Sequence, residues 1–482
     1  MPTRRSALAL AGGLLTSLSG CLGNSSTADG SGATPSDRRT ASPSPAPDGT
    51  PTVAGTDAPP GTDERTRTDP RTTPDTVTRV TGELPAWRAD RWFDVDYANV
   101  LGLDSDGGRL YVTMSEEDGG SAVAALSPGS SRFDWETTLS GEAEGRSHHE
   151  PTNGTDSWGV TVGDDAVYSV TGRGESYEWM AVHALNAATG RNRWSFERER
   201  RLAVRGRLDD ALVVAATEFF EPEHSHDTPD EPLATTVHAL ETGGGDERWS
   251  TTVTPLSAVA VWADGVYTAS DRTITGYSAS GRERWQTRVD GEVRLLTAVE
   301  DALVAAVDLN DDESSLVGLS TDGEVEWRVP LSTRWLLPAD DRVYIANDVV
   351  AAVTADGSVA WQTPARGHNP VISPDGGRLY TRTNVRMNAV DAYDLPGGER
   401  QFRFVTPSDN GWPLGATSEV VAAEAITPDK ADFTSLFAVD TGTGKPQAVY
   451  RPSETVFTAQ GLADTLYVGF GGGKLGAFGT PS

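Results

Sequence analysis

From about residue 100 to the C-terminus one short pattern returns every ~40 residues, and a repeat of that period leaves few folds open. The clearest unit runs Asp165-Ala166-Val167-Tyr168-Ser169-Val170, then Val182-His183-Ala184-Leu185-Asn186-Ala187-Ala188-Thr189-Gly190, and closes on Arg193-Trp194. The next carries Ala211-Leu212-Val213-Val214, Val237-His238-Ala239-Leu240-Glu241-Thr242-Gly243 and Arg248-Trp249. Another has Gly265-Val266-Tyr267-Thr268, Ile274-Thr275-Gly276-Tyr277, Ser280-Gly281 and Arg284-Trp285. Two more end on Trp327 and Trp361, each after an Asp-Gly turn (Asp322-Gly323, Asp356-Gly357), and Trp135 closes one upstream. Phe404 and Tyr450 take the closing position in two degenerate units.

Within each unit, β-branched and aromatic residues alternate in short runs separated by Asp-Gly, Thr-Gly or Ser-Gly. Glycine supplies the positive φ that a tight hairpin needs. No segment after residue 86 sustains a helical period with caps. The expected fold is therefore all-β: a closed β-propeller of four-stranded antiparallel blades. One such sheet cannot bury both faces alone, so its neighbours must cover them. Trp87, Trp135, Trp194, Trp249, Trp285, Trp327 and Trp361 are read as blade-docking plates, not as a cofactor box. Eight blades are expected, with nine as the alternative count. The N- and C-terminal strands are expected to share one blade, because sealing the ring removes exposed sheet edges.

The motif Ala-Leu-x-x-x-Thr-Gly-x-x-x-Trp, as at Ala184 to Trp194, resembles the repeat of the pyrroloquinoline-quinone (PQQ)-type β-propellers over about residues 83–478. That family includes quinone-dependent alcohol dehydrogenases and the lipoprotein subunit of the outer-membrane β-barrel assembly machinery. The resemblance implies a propeller, usually of eight blades, and specifies the fold far better than the function. Dehydrogenases of the family resemble one another in a pair of adjacent disulfide-bonded cysteines and in Glu, Asn and Asp calcium ligands. A chain with one cysteine cannot form that pair.

The N-terminus reads as an address. Arg4 and Arg5 precede an apolar run from Ala7 to Leu18, as in a twin-arginine export signal. The run ends in Leu18-Ser19-Gly20-Cys21, which resembles the lipobox of secreted lipoproteins, with Cys21 as the lipidated thiol. Residues 1–21 are thus assigned to the signal, 22–82 to a disordered Thr/Ser/Pro/Asp-rich stalk and 83–482 to the propeller. A fully flexible stalk would reach about 45 Å. Asn24 and Asn153 lie in short N-glycosylation sequons.

Charge narrows the partners. The chain has 70 acidic against 40 basic residues, a net charge of −30, and only Lys430, Lys445 and Lys474 among the basic residues are lysines. This balance resembles that of proteins from salt-loving archaea, whose carboxylate surfaces are screened by concentrated salt. It argues against nucleic acid, whose phosphates need a basic face.

Catalytic motifs are missing from the sequence. Gly471-Gly472-Gly473-Lys474 is followed by Leu475, without the Ser or Thr of a phosphate loop, and reads as a turn. His148-His149-Glu150 and the Glu221, Glu223, His224, His226, Asp227 group are read as solvated acidic insertions. Asp308-x-Asn310-x-Asp312 echoes a calcium loop but has Glu313 and Leu319 where Gly and an acid are required. No catalytic, cofactor-binding or metal-binding residue is assigned, and neither bound PQQ nor calcium is expected. The expected function is a non-catalytic surface scaffold: a monomeric lipoprotein on the outer face of the cytoplasmic membrane, whose propeller binds a protein or an extracellular ligand. The competing reading is a quinone-dependent dehydrogenase.

Overall fold

The computed structural model describes residues 76–481 apart from 116–119, 144–159, 174–178, 219–232, 263–264, 311–312, 340, 384–387, 408–409 and 427–433. All regular structure among the described residues is β-strand, in nine sheets. In chain order the blades span 99–140, 142–198, 201–253, 258–288, 292–329, 335–363, 368–405 and 410–450, and the ninth is 456–478 with an N-terminal strand. First strands of neighbouring blades lie against each other, and blade 1 meets blade 9 through a bridge between Asn99 and Gly471. The ring therefore has nine blades, the alternative count rather than the expected eight. The degenerate units closing near residues 404 and 450 are full blades, not decorated loops.

Residue pattern explains position within a blade. The second and third strands are covered on both faces, so they read as near-continuous apolar runs; Ala302–Asp308 is buried at six of its seven positions. Fourth strands form the outer edge and alternate, as in Glu283–Arg288. Their tryptophan lies across a small residue of the third strand. Ala184 pairs with Trp194, Ala239 with Trp249, Gly276 with Trp285, Gly318 with Trp327 and Ala352 with Trp361. Only Ala or Gly leaves room for the indole there.

The indole then reaches the next blade. Nε1 of Trp194 donates to Thr242 O at 2.9 Å, Trp249 to Ala279 O at 2.9 Å and Trp285 to Thr321 O at 2.7 Å. Trp135 and Trp327 make the same bond to Ala187 O and Ala355 O. Under each ring sits a positive-φ glycine from the next blade's turn: Gly190, Gly245, Gly281, Gly323 and Gly357. Gly245 has φ +78° and a Cβ there would stand 2.7 Å from Trp194 Cδ2, so this turn needs glycine twice over, for its backbone and for the ring above it.

Two closing positions differ from expectation. In blade 7 the ring over the next blade's turn is Phe402, which lies over Gly444, rather than Phe404. In blade 8 the equivalent of the tryptophan is Ala448, opposite Ala438, rather than Tyr450. Aromatic residues two positions along the same strand face share the side of the sheet and so mimic the pattern in sequence.

The N-terminal arm makes up the deficit. Strand β1 (Thr76–Arg79) runs parallel to the outer strand of blade 7. Ala86 then bridges Val449 on the outer edge of blade 8, with Trp87 N donating to Val449 O at 2.8 Å and Val449 N to Pro85 O at 3.0 Å. Strand β2 (Arg91–Asp94) pairs antiparallel with Lys474–Phe478 as the fourth strand of blade 9. The two chain ends thus share a blade, as expected. Trp87, 3% exposed, packs 4.9 Å from Phe478 and donates from Nε1 to Gly479 O at 3.0 Å. It stands beside Ala448 and supplies the ring that blade 8 lacks. Through β1 the arm already lies against blade 7 at Thr76–Arg79, ahead of Glu83.

Candidate functional site

Strand direction sorts the connections onto two ends. At one end each first strand begins and each second strand turns into the third. The hairpins Thr217/Thr235, Arg173/Trp179, Thr383/Ala389 and Ile426/Thr434 all open at that end. The Glu221–Asp227 insertion lies between Thr217 and Thr235 at this end, whereas the His148-His149-Glu150 insertion falls between Ala143 and Val160, which both pair with the second strand of blade 2. Cys21, Arg4, Arg5, Asn24, Asn153, His148-His149-Glu150 and the Glu221–Asp227 group lie outside the described residues.

Among the described residues, a basic cluster marks the same end at blades 6 to 8. His368 opens the first strand of blade 7 and is the register partner of Arg382 on the second. Burial is the main cause holding the His368 imidazole below its ordinary pKa, and Arg382, Arg334 and Arg366 add to it against Asp348. Arg366 Nε is 3.2 Å from Asp348 Oδ1. The Arg382 guanidinium lies 3.7 Å from the ring centroid of Trp412, on the first strand of blade 8. Arg334, Arg366 and Arg382 around one histidine stand out on a chain of net charge −30. Such a patch can receive an anionic group.

A second set of polar groups occupies one repeat position, the residue before the small one that faces the tryptophan. His183 is buried between Thr171 Oγ1 and Ser195 Oγ, each 2.9 Å away. His238 Nδ1 lies 2.7 Å from Glu247 Oε2, with Phe196 of blade 2 edge-on at 5.1 Å. Asp391 is fully buried and takes both Nε and an Nη of Arg403, each at 2.6 Å. These pairs fill the space between blades, and a satisfied ion pair of this kind belongs to packing as readily as to chemistry. Sequence reasoning missed them because a single His or Asp between apolar neighbours has no partner visible along the chain.

Asp308 pairs with Arg294, while Asn310 bonds Glu313 within a turn; Asp312 lies outside the described residues. Gly472 and Gly473 form a turn with φ near +68° and +67°, and Lys474 bonds Glu454 at 2.6 Å. Among the described residues no group of three or more His, Cys, Asp or Glu side chains is placed to hold a metal ion. No helix among them is long and apolar enough to cross a membrane.

Residues 79–255 and 233–364 match the sequence profile of a family described as outer membrane protein assembly factor BamB. No curated protein matches the chain by sequence. Similar solved structures include BamB from Moraxella catarrhalis, 18% identical, covering 74% of this chain and 96% of that one with a TM-score of 0.43. Saccharomyces cerevisiae Sqt1 is 12% identical, covering 82% and 100%, with a TM-score of 0.45. Quinohemoprotein alcohol dehydrogenase from Comamonas testosteroni is 11% identical, covering 85% and 79%, also with a TM-score of 0.45.

Proposed function

The chain belongs to the family of the outer membrane protein assembly factor BamB, and from that premise we propose that it is a non-catalytic, exported lipoprotein whose propeller is a binding scaffold for a protein partner. The proposal places Cys21 under a lipid on the outer face of the cytoplasmic membrane, with the segment up to Thr76 as a tether. It includes neither PQQ nor calcium.

One observation carries the reading: the connections between second and third strands of blades 2, 3, 7 and 8 leave paired strand ends at a single end of the ring, beside the Arg334, Arg366, His368 and Arg382 cluster. Variable loops held by a rigid scaffold are how repeat proteins and sandwiches present binding surfaces. Charged groups at such a face steer encounter and select partners more than they add affinity. The partner that suits it presents carboxylates.

Proximity labelling on intact cells tests this, comparing the parent with the full chain carrying Arg334→Glu and Arg366→Glu. Both residues are exposed, so the variant is expected to fold normally and to lose its labelled partner. A partner set unchanged by the charge reversal overturns the assignment of this face. Stoichiometric uptake of PQQ with calcium, accompanied by dye reduction, overturns the non-catalytic reading in favour of a dehydrogenase.

A further inference from the structure

Each blade turns one sheet face toward the blade before it, and the same positions build that face around the ring. In blade 5 they are Ala305 and Val307 on the second strand and Ser315, Val317 and Leu319 on the third. They pack into the apolar cluster shared with blade 4. Polar side chains take these positions in blade 2 (Ser169, Thr171, His183), in blade 7 (Thr381, Thr383, Asp391) and in blade 4. The blade 4 residues are Thr268 and Ser270, then Thr273, Thr275 and Tyr277, with Gln286 beside Thr275 on the outer strand. A face that is aliphatic one blade later is covered here by hydroxyls and an amide.

Blade 3 does not fill the space opposite. Between blades 2 and 3 the gap is closed by Phe196 against His238. Two residues after its tryptophan, blade 3 has Thr251 in place of that phenylalanine, and blade 4 has Thr275 in place of that histidine. Two small side chains replace two rings. Beside Thr275 lies a cleft of about 280 Å³, lined on the blade 3 side by Thr252 and Val253.

Its hydrogen-bonding capacity is largely unspent. Gln286 Nε2 reaches Thr275 Oγ1 at 3.4 Å and Ser270 Oγ reaches Thr254 O at 3.3 Å, both long. Among the described residues, no bond is found for the hydroxyls of Thr268, Thr273 or Tyr277, and Thr268 is only 1% exposed.

The lining selects a ligand by exclusion. No charged side chain lines the cleft, so an ion would be desolvated without a counter-charge. An apolar guest would leave the hydroxyls unpaired. A neutral polyol offers donors and acceptors to the hydroxyls, and the Tyr277 ring with Val253 provides an apolar patch for a C–H face. The volume sits just below the ~300–1,000 Å³ of ordinary small-molecule sites, which suits one ring rather than a long oligomer. We propose that the cleft between blades 3 and 4 is a carbohydrate site that takes a single neutral sugar ring.

Calorimetry and saturation-transfer NMR on the full chain, titrated with glucose, mannose and N-acetylglucosamine, test the proposal. At least one of the three is expected to bind saturably in the millimolar range. The double variant Thr268→Val, Thr275→Val is expected to weaken it at least about tenfold, equal to ~1.4 kcal/mol. That variant should melt no lower than the parent, since it removes hydroxyls that are poorly paired. Absence of saturable binding by all three up to about 50 mM, where even a weak site of ~4 kcal/mol would fill, overturns the proposal. Equal binding by the double variant also overturns it, as does glycerol or gluconate binding as tightly as the best sugar.

Discussion

Replacing Trp87 by alanine opens the ring where the arm closes it. The indole is 3% exposed, packs on Phe478 and bonds Gly479 O. Burying an aromatic of this kind removes ~150–250 Å² from water, about 4–6 kcal/mol at ~25 cal/mol/Å². Truncations of buried aromatics to alanine cost ~3–5 kcal/mol, and the indole hydrogen bond is contained in that range. The loss is local, because Ala448 offers blade 8 no ring of its own. A large repeat ring need not unfold in one step, so a single melting temperature reads the change poorly. Amide hydrogen exchange reads it locally. The reporters are Val449 N, which donates to Pro85 O, and Asp90 N, which donates to Ala477 O. A loss of ~3–5 kcal/mol raises their opening constants roughly 150- to 4,000-fold at ~1.4 kcal/mol per tenfold. Amides in blade 4 should keep their parental rates. Trp92→Ala is the control: that ring is 41% exposed and its loss should have a much smaller effect. Parental exchange at Val449 and Asp90 in the Trp87 variant would refute the idea that the arm supplies the missing wedge.

Four further outcomes are expected. Gly245→Ala should destabilise far more than Gly376→Ala: both have positive φ, but Trp194 lies over the first and nothing lies within 4 Å of the second, so equal melting would remove the indole from the explanation. Asp391→Ala leaves Arg403 buried without its carboxylate and should cost ~3–5 kcal/mol in denaturant unfolding. Burial holds His238 below its ordinary pKa despite Glu247, so the unfolded chain takes the proton first. Its contribution is complete above about pH 6.5 and is lost as pH falls from there toward the lower folded value; His238→Gln should flatten that slope in pH-dependent unfolding. With a net charge of −30, the fold should lose stability as salt is lowered from 1 M to 0.1 M, where the screening length grows from ~3 to ~10 Å; a salt-independent midpoint would count against the halophilic reading.

The aromatic and glycine spacing was legible because each repeat must bury both faces with the same few devices. A tryptophan every ~40 residues, a small residue opposite it and a glycine turn beneath the next one are local necessities, and they survive in sequence. Phe402 and Ala448 were misread for the same reason: near neighbours Phe404 and Tyr450 sit on the same strand face, and periodicity cannot tell which of two rings crosses to the next blade. The basic cluster has no signature in sequence because Arg334 and Arg366 sit in connections that do not repeat, Arg382 sits on a strand, and the three meet only in the fold. The hydroxyl face of blade 4 was present as ordinary strand threonines, whose shared orientation becomes visible only once register is known.

What the chain's order of residues settled by itself was the kind of sheet, its repetition and its closure into a wheel, since hydrogen-bond geometry and apolar burial act over short stretches. Which blade lacks its own wedge, how many blades complete the circle, and which gaps between blades stay unfilled were decided by tertiary structure. Those depend on side-chain volumes meeting across distant segments, and on an N-terminal arm that lies along three blades encoded more than 300 residues later.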